Sequence, residues 1–228
     1  MLPPMRKRVS WIIGAVLAVA VIAIGVGPWA YAKFFHGDQP DALGLSGEST
    51  GASGSLDGNW TVAPESAAGY EVWETLNGQR VFVRGQTHDV TGAATVEDST
   101  LTTGTVEVDV ASIATDSERR DAMFDMMIMN TGSFPTATFE VTEPVDLSAV
   151  PEDGSTVSVP VSGKLTLRGQ TRDVTTNFDI QRSGENIETA GAVDVAWTDY
   201  QVSKPTTFPN IVVEDAGQIQ FSIVLSKS

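Results

Sequence analysis

Apolar and polar residues mostly alternate from Trp60 to the C terminus, the period of a strand with one buried face. Turn signals such as Asn77-Gly78, Asp153-Gly154 and Ser183-Gly184 separate such runs. The pattern predicts an all-β domain of about 170 residues, which is large for a simple sandwich of about 100 residues and suits a barrel or an extended sandwich. The clearest alternation covers 105–110, 137–141, 164–168, 193–197 and 219–225.

One short α-helix is predicted over about 116–129, where the alternation stops and the sequence reads ERRDAMFDMMIM from Glu118 onward. Thr115 and Glu118 have the spacing of a capping box. The segment holds four of the six methionines of the chain, whose flexible side chains adapt to irregular gaps. We interpret it as filler beside a bent sheet or, alternatively, as a lid or plug over a barrel.

Eight residues recur almost unchanged, as RGQTHDVT at 84–91 and RGQTRDVT at 168–175. Each copy lies between two strand-like runs, and Gly, Asp and Thr are typical of turns. We therefore predict two similar hairpin connections. A direct role in ligand binding is the less favoured alternative.

The N-terminal part of the chain has a different pattern, because 9–27 carries no charge and the apolar run continues to Tyr31. This length suits a transmembrane helix, and the preceding Arg6-Lys7-Arg8 places its start in the cytoplasm. We predict a cytoplasmic tail at 1–8, a transmembrane helix or signal anchor at 9–31 and an exported remainder. Ala30-Tyr31-Ala32 has the form of a signal peptidase site, and its cleavage would give a secreted protein.

Residues 32–58 are rich in Gly and Ser and lack apolar periodicity, so they are predicted to be a flexible linker before a domain at 59–228. Charge supports this division, since 1–37 carries +4 and 38–228 carries −19. Overall, 14 basic and 29 acidic residues give −15 and a pI of about 4.3. Such acidity argues against nucleic acid as a partner.

Catalytic and metal-binding constellations are scarce in the sequence. There is no cysteine, which excludes disulfides, thiolate zinc sites and thiol nucleophiles, and there are two histidines, His36 and His88. No phosphate-binding or dinucleotide-binding glycine motif is found. We predict that the protein is not an enzyme and needs no metal or cofactor, with a hydrolase using paired carboxylates as a remaining alternative.

Three blocks of sequence carry a family resemblance. They are Trp60-Thr61-Val62 with the following 69–72, then 118–121 with the F-P-x-A-x-F strand at 134–139, and the run GKLTLRGQTRDV at 163–174. In this order they resemble the YceI-like family of lipid and polyisoprenoid binding proteins, from Asn59 to the C terminus. The chain departs from the family at Ala122-Met123-Phe124, where many members carry His, and at 126–129, where methionines replace an aromatic-rich stretch.

The resemblance implies an extended lipocalin-like fold, an eight-stranded antiparallel β-barrel with one short α-helix around an apolar tunnel. We predict a membrane-tethered extracytoplasmic protein that holds a polyisoprenoid or fatty-chain lipid as carrier, store or sensor, with a homodimer left open. Arg119 and Arg120 are candidates for contact with an anionic head group. The expected lining is Tyr70, Val72, Val106, Val108, Val110, Met123, Met127, Phe139, Val141, Leu165, Leu167, Phe221 and Ile223.

The competing prediction is a non-catalytic structural or adhesive module of the cell envelope. The two differ in the interior of the domain. A structural module is packed solid, whereas a lipid carrier keeps an elongated cavity.

Overall fold

The ladders between the strands of the domain that the structure describes are antiparallel. The computed structural model describes residues 39–47, 49–76, 78–204 and 211–228, and these contain eleven strands. Their bounds are β1 Gly58–Val62, β2 Ala67–Leu76, β3 Gln79–Thr87, β4 Val90–Glu97, β5 Thr100–Asp109, β6 Thr136–Val141, β7 Val145–Asp146, β8 Val157–Leu167, β9 Gln170–Ser183, β10 Asn186–Ala196 and β11 Ile211–Lys227.

Eight of these strands close into a ring in the order β1-β4-β5-β6-β8-β9-β10-β11 and back to β1. Closure depends on the length of β11, whose end pairs with β1 while its earlier part pairs with β2. A register shift between Val213 and Gly217 interrupts the second ladder. Strand β3 pairs with β2 outside the ring, and the two-residue β7 pairs with β5. The predicted all-β, eight-stranded antiparallel barrel is therefore confirmed.

The interior is filled by every second side chain of the strands. In β8, for example, Val161, Gly163, Leu165 and Leu167 are buried while the residues between them are more exposed. Because successive side chains point to opposite faces, one face of each strand supplies the apolar interior and the other meets solvent. The buried side chains form two large clusters, one beside the helix and one around Trp60 and Leu56.

The predicted helix is confirmed in place but is divided and shorter. It consists of α1, Glu118–Met123, followed by six residues of π-helix, Phe124–Met129. The predicted capping box is wrong: Asp121, not Glu118, accepts hydrogen bonds from the backbone N–H of Thr115 at 2.9 Å and its hydroxyl at 2.6 Å. The N-cap residue is Ser117, and Asn130 ends the segment in the left-handed conformation.

The described part of the predicted linker lies against the barrel as a strap, defined here as 39–47 and 49–57. The Gln39 side chain accepts a hydrogen bond from the Arg84 N–H at 2.8 Å, and Ser46 donates to Glu188 at 2.7 Å. Ala52 donates to the Glu152 carbonyl at 2.9 Å. At its end Leu56 is buried in the core. The strap departs from the predicted flexible linker because its polar groups find partners on the barrel.

The repeated octapeptide serves two different purposes, so the prediction of two equivalent hairpin connections is wrong. Arg168 and Gly169 form the turn between β8 and β9, both with positive φ. Gly85 instead lies within β3, opposite Tyr70. A Cβ at Gly85 would lie 2.5 Å from Cε1 of Tyr70, so glycine is needed there for ring packing and not for a turn.

The predicted transmembrane helix at 9–31 and the Ala30-Tyr31-Ala32 site lie outside the described residues, as does Asn77 of the predicted turn at 77–78. None of the helices within the described ranges combines the length and the apolar character needed to cross a membrane.

Candidate ligand cavity

The interior contains a larger cavity of about 330 Å³, here called the outer cavity. Strands β2 and β3, the helical segment and the start of β11 form its walls. Tyr70 and Phe124 stack inside it with ring centroids 4.9 Å apart. Burial raises the pKa of the Tyr70 hydroxyl, which therefore stays neutral. Charged residues also reach this cavity, namely Glu74, Arg119, Arg120 and Lys204.

A second cavity of about 140 Å³, the inner cavity, lies within the closed ring of strands. Its walls are almost entirely apolar and include a cluster of three rings. Phe178 lies 5.7 Å from Phe139 and 4.6 Å from Phe221 between ring centroids. Gly163 and Gly191 make room for this cluster, since a Cβ there would lie 2.3 Å from Cζ of Phe139 and 2.7 Å from Cζ of Phe221.

The two cavities adjoin at a waist of five shared wall residues on five different strands. Because these residues line both spaces, they lie between the two cavities. Two of the five are alanines, the smallest side chains available to a wall. The waist consists of Ala68, Val108, Ala137, Leu167 and Ile219.

An ion-pair network crosses the wall of the outer cavity. Arg120 donates from Nη2 to Oε1 of Glu74 at 3.2 Å and from Nη1 to the Thr115 hydroxyl at 3.2 Å, and it also pairs with Asp116. Burial opposes the charge on Arg120, but the two carboxylates outweigh burial and raise the pKa of its guanidinium. The network therefore joins helix α1 to β2 through the Arg120–Glu74 pair.

Comparison with known proteins gives the family. A model described as a YceI-like domain matches residues 60–225. The chain belongs to the YceI-like family. A search of curated protein sequences found no match.

Two solved structures share the YceI-like fold with this chain. One is a polyisoprenoid binding domain from Saccharophagus degradans implicated in plant cell wall breakdown, with a TM-score of 0.61, 18% identity and coverage of 74% of this chain and 98% of that one. The other is BcnA of Burkholderia cenocepacia, with a TM-score of 0.55, 19% identity and coverage of 72% and 98%. At these identities the likeness establishes the fold.

Twelve of the thirteen apolar residues predicted to line the interior lie in the cavity walls, and their contact with a ligand stays a prediction. Tyr70, Val72, Val110 and Met123 line the outer cavity, and Val108 and Leu167 belong to the waist. Arg119 and Arg120 also line the outer cavity. The inner cavity is lined by Val106, Phe139, Val141, Leu165, Phe221 and Ile223.

Met127 is the exception and lines neither cavity of the YceI-like barrel. Its side chain is 51% exposed and that of Met126 is 68% exposed. The cause is the π-helix, whose bonds join residues five apart, so that Phe124 and Met129 are its buried pair. The spacing of an ordinary α-helix would have turned residue 127 or 128 inward with Phe124.

Glu74 was missed by sequence reasoning, although a signal for it exists. It follows Tyr70 and Val72 on the inward phase of β2, where a carboxylate has to find a partner. Lys204 and Trp197, both in the outer wall, lie in irregular or 3₁₀ segments without periodicity. Within the described ranges, no group of three His, Cys, Asp or Glu residues could hold a metal ion.

Proposed function

We propose that the protein binds one long apolar lipid chain non-covalently inside the barrel and acts as a membrane-tethered extracytoplasmic carrier, store or sensor. The observation that carries this proposal is a pair of adjoining, largely apolar cavities, the inner one within the closed ring of strands and the outer one bounded also by β2, β3 and the helical segment. A filled structural module would have no such space, because ordinary protein interiors contain few voids larger than a water molecule.

The walls of the two cavities favour a chain over a compact polar ligand. Apolar surface moved out of water contributes about 25 cal/mol per Å². The inner cavity offers almost no polar partner, so a polar ligand buried there would lose its hydrogen bonds to water without replacement. A polyisoprenoid is the favoured class, because a structural relative is a polyisoprenoid binding domain. A fatty chain would meet the same physical requirements.

The charged residues of the outer cavity suit the polar end of such a lipid. Arg119, Arg120 and Lys204 reach this cavity; Arg120 pairs with Glu74 and Asp116, and Lys204 pairs with Asp215. A phosphate or carboxylate head placed here would gain charge-assisted hydrogen bonds, and its chain would point away from solvent. We therefore assign the head-group position to the outer cavity, with Arg119 and Arg120 as candidates.

A membrane tether at the N terminus is supported by the sequence and by the position of the first residue of the strap. The uncharged segment 9–27 follows Arg6-Lys7-Arg8, which favours a membrane span with the barrel on the far side. From Tyr31 to Gln39 the chain can extend at most about 30 Å. Gln39 is bound beside Arg84 of β3, and Val83 of the same strand lines the outer cavity. The outer cavity would thus stay near the bilayer.

The test is native mass spectrometry of the purified full chain with organic extraction of whatever it carries. We expect a lipid adduct, or uptake of added geranylgeraniol by a chain purified without one. Leu165→Trp, which fills the inner cavity, should reduce uptake, whereas Thr166→Trp on the outer face of the same strand should not. A chain that neither carries lipid nor takes up geranylgeraniol or farnesol would contradict the proposal.

A further inference from the structure

The waist between the two cavities combines three branched side chains with two alanines. Val108 of β5 lies opposite Ala137 of β6, and Leu167 and Ile219 add two branched side chains. Ala68 is buried, whereas Ala137 is half-buried. A larger residue at 137 would therefore grow into the space between the cavities.

The polar character of the interior changes across this waist. On one side lie Glu74, Arg119, Arg120 and Lys204, and on the other side the wall is made by aliphatic and aromatic side chains. Trp60 lines the inner cavity and donates from Nε1 to the Leu56 carbonyl at 2.9 Å. The end of the strap thus packs behind this part of the inner wall.

We infer that the waist acts as a length selector: the ligand lies with its polar end in the outer cavity and its tail through the waist, and Ala137 and Ala68 admit the tail to the inner cavity. This inference rests on the proposed function and adds an orientation and two specificity-determining residues to it. Short chains are held by the outer cavity alone. Longer chains gain affinity only because these two positions are small.

The variant that tests the waist is Ala137→Phe, with Ala137→Leu as a milder form and Thr136→Phe as the control. Thr136 is the adjacent residue on the same strand and points to the opposite face. Affinities of the full chain, held in lipid nanodiscs, are measured for farnesol and for the longer geranylgeraniol. Each pair of methylene groups kept out of the inner cavity should lower affinity about tenfold.

We expect Ala137→Phe to lower the affinity for geranylgeraniol by about tenfold or more, while the affinity for farnesol changes by less than about threefold. Thr136→Phe should change neither. Equal loss for both alcohols, or no loss for either, would overturn the length selector. It would leave the proposed function intact, because the unmodified chain would still bind.

A second test leaves the residues of the waist unchanged. Trp197 lines the outer cavity and Trp60 the inner one, so each reports on one compartment. Hexadecanoic acid is brominated either next to the carboxylate or at its terminal carbon, and bromine quenches a nearby indole. Trp60→Phe and Trp197→Phe identify which ring is quenched.

Bromine beside the carboxylate should quench Trp197, and terminal bromine should quench Trp60. Quenching of Trp197 alone by both acids would mean that the chain stays in the outer cavity, and the opposite pairing would mean a reversed orientation. Either result overturns the inference while still showing binding. Failure of every probe to bind the unmodified chain would instead contradict the proposed function itself.

Discussion

The two cavities are built by different means, and the difference shows what the sequence pattern controls. Inner-cavity residues such as Val106, Phe139, Leu165 and Phe221 lie on the apolar phase of ring strands. The outer cavity also needs a divided helix, a buried ion pair and the irregular chain around Lys204. The inner cavity thus follows from strand alternation, whereas the outer one depends on contacts between elements that are distant in the chain.

This contrast also separates stability from recognition. Both walls include fully buried residues, such as Val161 on the inner side and Val83 on the outer side. The outer cavity differs in that it also has charged or partly exposed residues such as Arg119 and Met123. We therefore expect changes around the inner cavity to affect folding first and changes around the outer cavity to affect which head group is accepted.

The largest effect is expected for Trp60→Ala. The ring is buried, lines the inner cavity and holds the Leu56 carbonyl, so its removal should lower the free energy of unfolding by about 3–5 kcal/mol. Trp73→Ala is the matched control, since Trp73 is 36% exposed on the outer face of β2. Urea unfolding measures both. A similar loss for the two variants would contradict the prediction that the wall of the inner cavity contributes most to stability.

The next largest effect is expected for Gly163→Ala, which should lower the free energy of unfolding by about 1–3 kcal/mol because the core becomes overpacked. The added methyl group would lie 2.3 Å from Cζ of Phe139 and 2.7 Å from the Glu140 carbonyl oxygen, and the backbone cannot move aside as a flexible side chain could. Gly132→Ala is the control, because no atom lies within 4 Å of the added group. Thermal unfolding of both variants checks the difference, and equal stability would mean that the phenyl cluster adapts freely.

Glu74→Gln tests how the charge of the outer cavity affects the choice of head group. Removing the carboxylate leaves more positive charge on the outer wall, because Arg120 loses one of its two anionic partners. Hexadecanoate should bind more tightly relative to hexadecanol, by an amount of about 1 kcal/mol for one lost charge interaction. Some stability should also be lost, because the amide still accepts a hydrogen bond from Arg120 but no longer carries the charge that pairs with it.

The control for that change is Glu71→Gln on the same strand. Glu71 pairs with Arg84 on the outer face of β2 and does not line the outer cavity. Competition between the two probes is measured by displacement from the full chain. A preference that shifts equally in both variants would place the effect in the overall charge of the protein.

Periodicity and motif spacing were sufficient to predict the barrel and most of its walls. Leu165, Leu167 and Phe139 could be placed because strand alternation is a local property that survives whatever the strand pairs with. Met127 was placed wrongly, because it lies in a π-helix that turns its side chain outward, and no pattern in the sequence predicts a π-helix. Gly85 was misread since identical letters in 84–91 and 168–175 occupy different places in their strands.

Composition was a poorer guide than pattern for the segment before the barrel. Gly and Ser suggested a flexible linker, yet the described strap is fixed by partners more than a hundred residues away, such as Glu188 and Arg182. The local sequence does not identify such partners, because the residues around Ser46 and Ser49 would be equally typical of a flexible segment. The strap therefore offers the smallest and most local of the predicted effects.

Acid should release the strap near Ser46 before the barrel unfolds. Burial acts to raise the pKa of Glu188, but hydrogen bonds from Ser46 and Gln181 outweigh it and lower that pKa below its ordinary value. A carboxyl with a lowered folded pKa contributes stability above its ordinary pKa of 4.5, and this is lost as the pH falls through the lowered value. We expect a local effect of roughly 1 kcal/mol.

Hydrogen exchange of the strap amides between pH 3 and 6 measures this release. Glu188→Gln keeps an oxygen acceptor but removes the charge, so its strap should be less protected at pH 6 and nearly indifferent to acid. Asp194→Gln serves as the control, since Asp194 lies on the same strand and pairs with Gln218 of β11 and not with the strap. Protection near Ser46 that stays constant with pH in the unmodified chain would show that Glu188 does not hold the strap, and that its backbone contacts at Gly44 and Ala52 are sufficient.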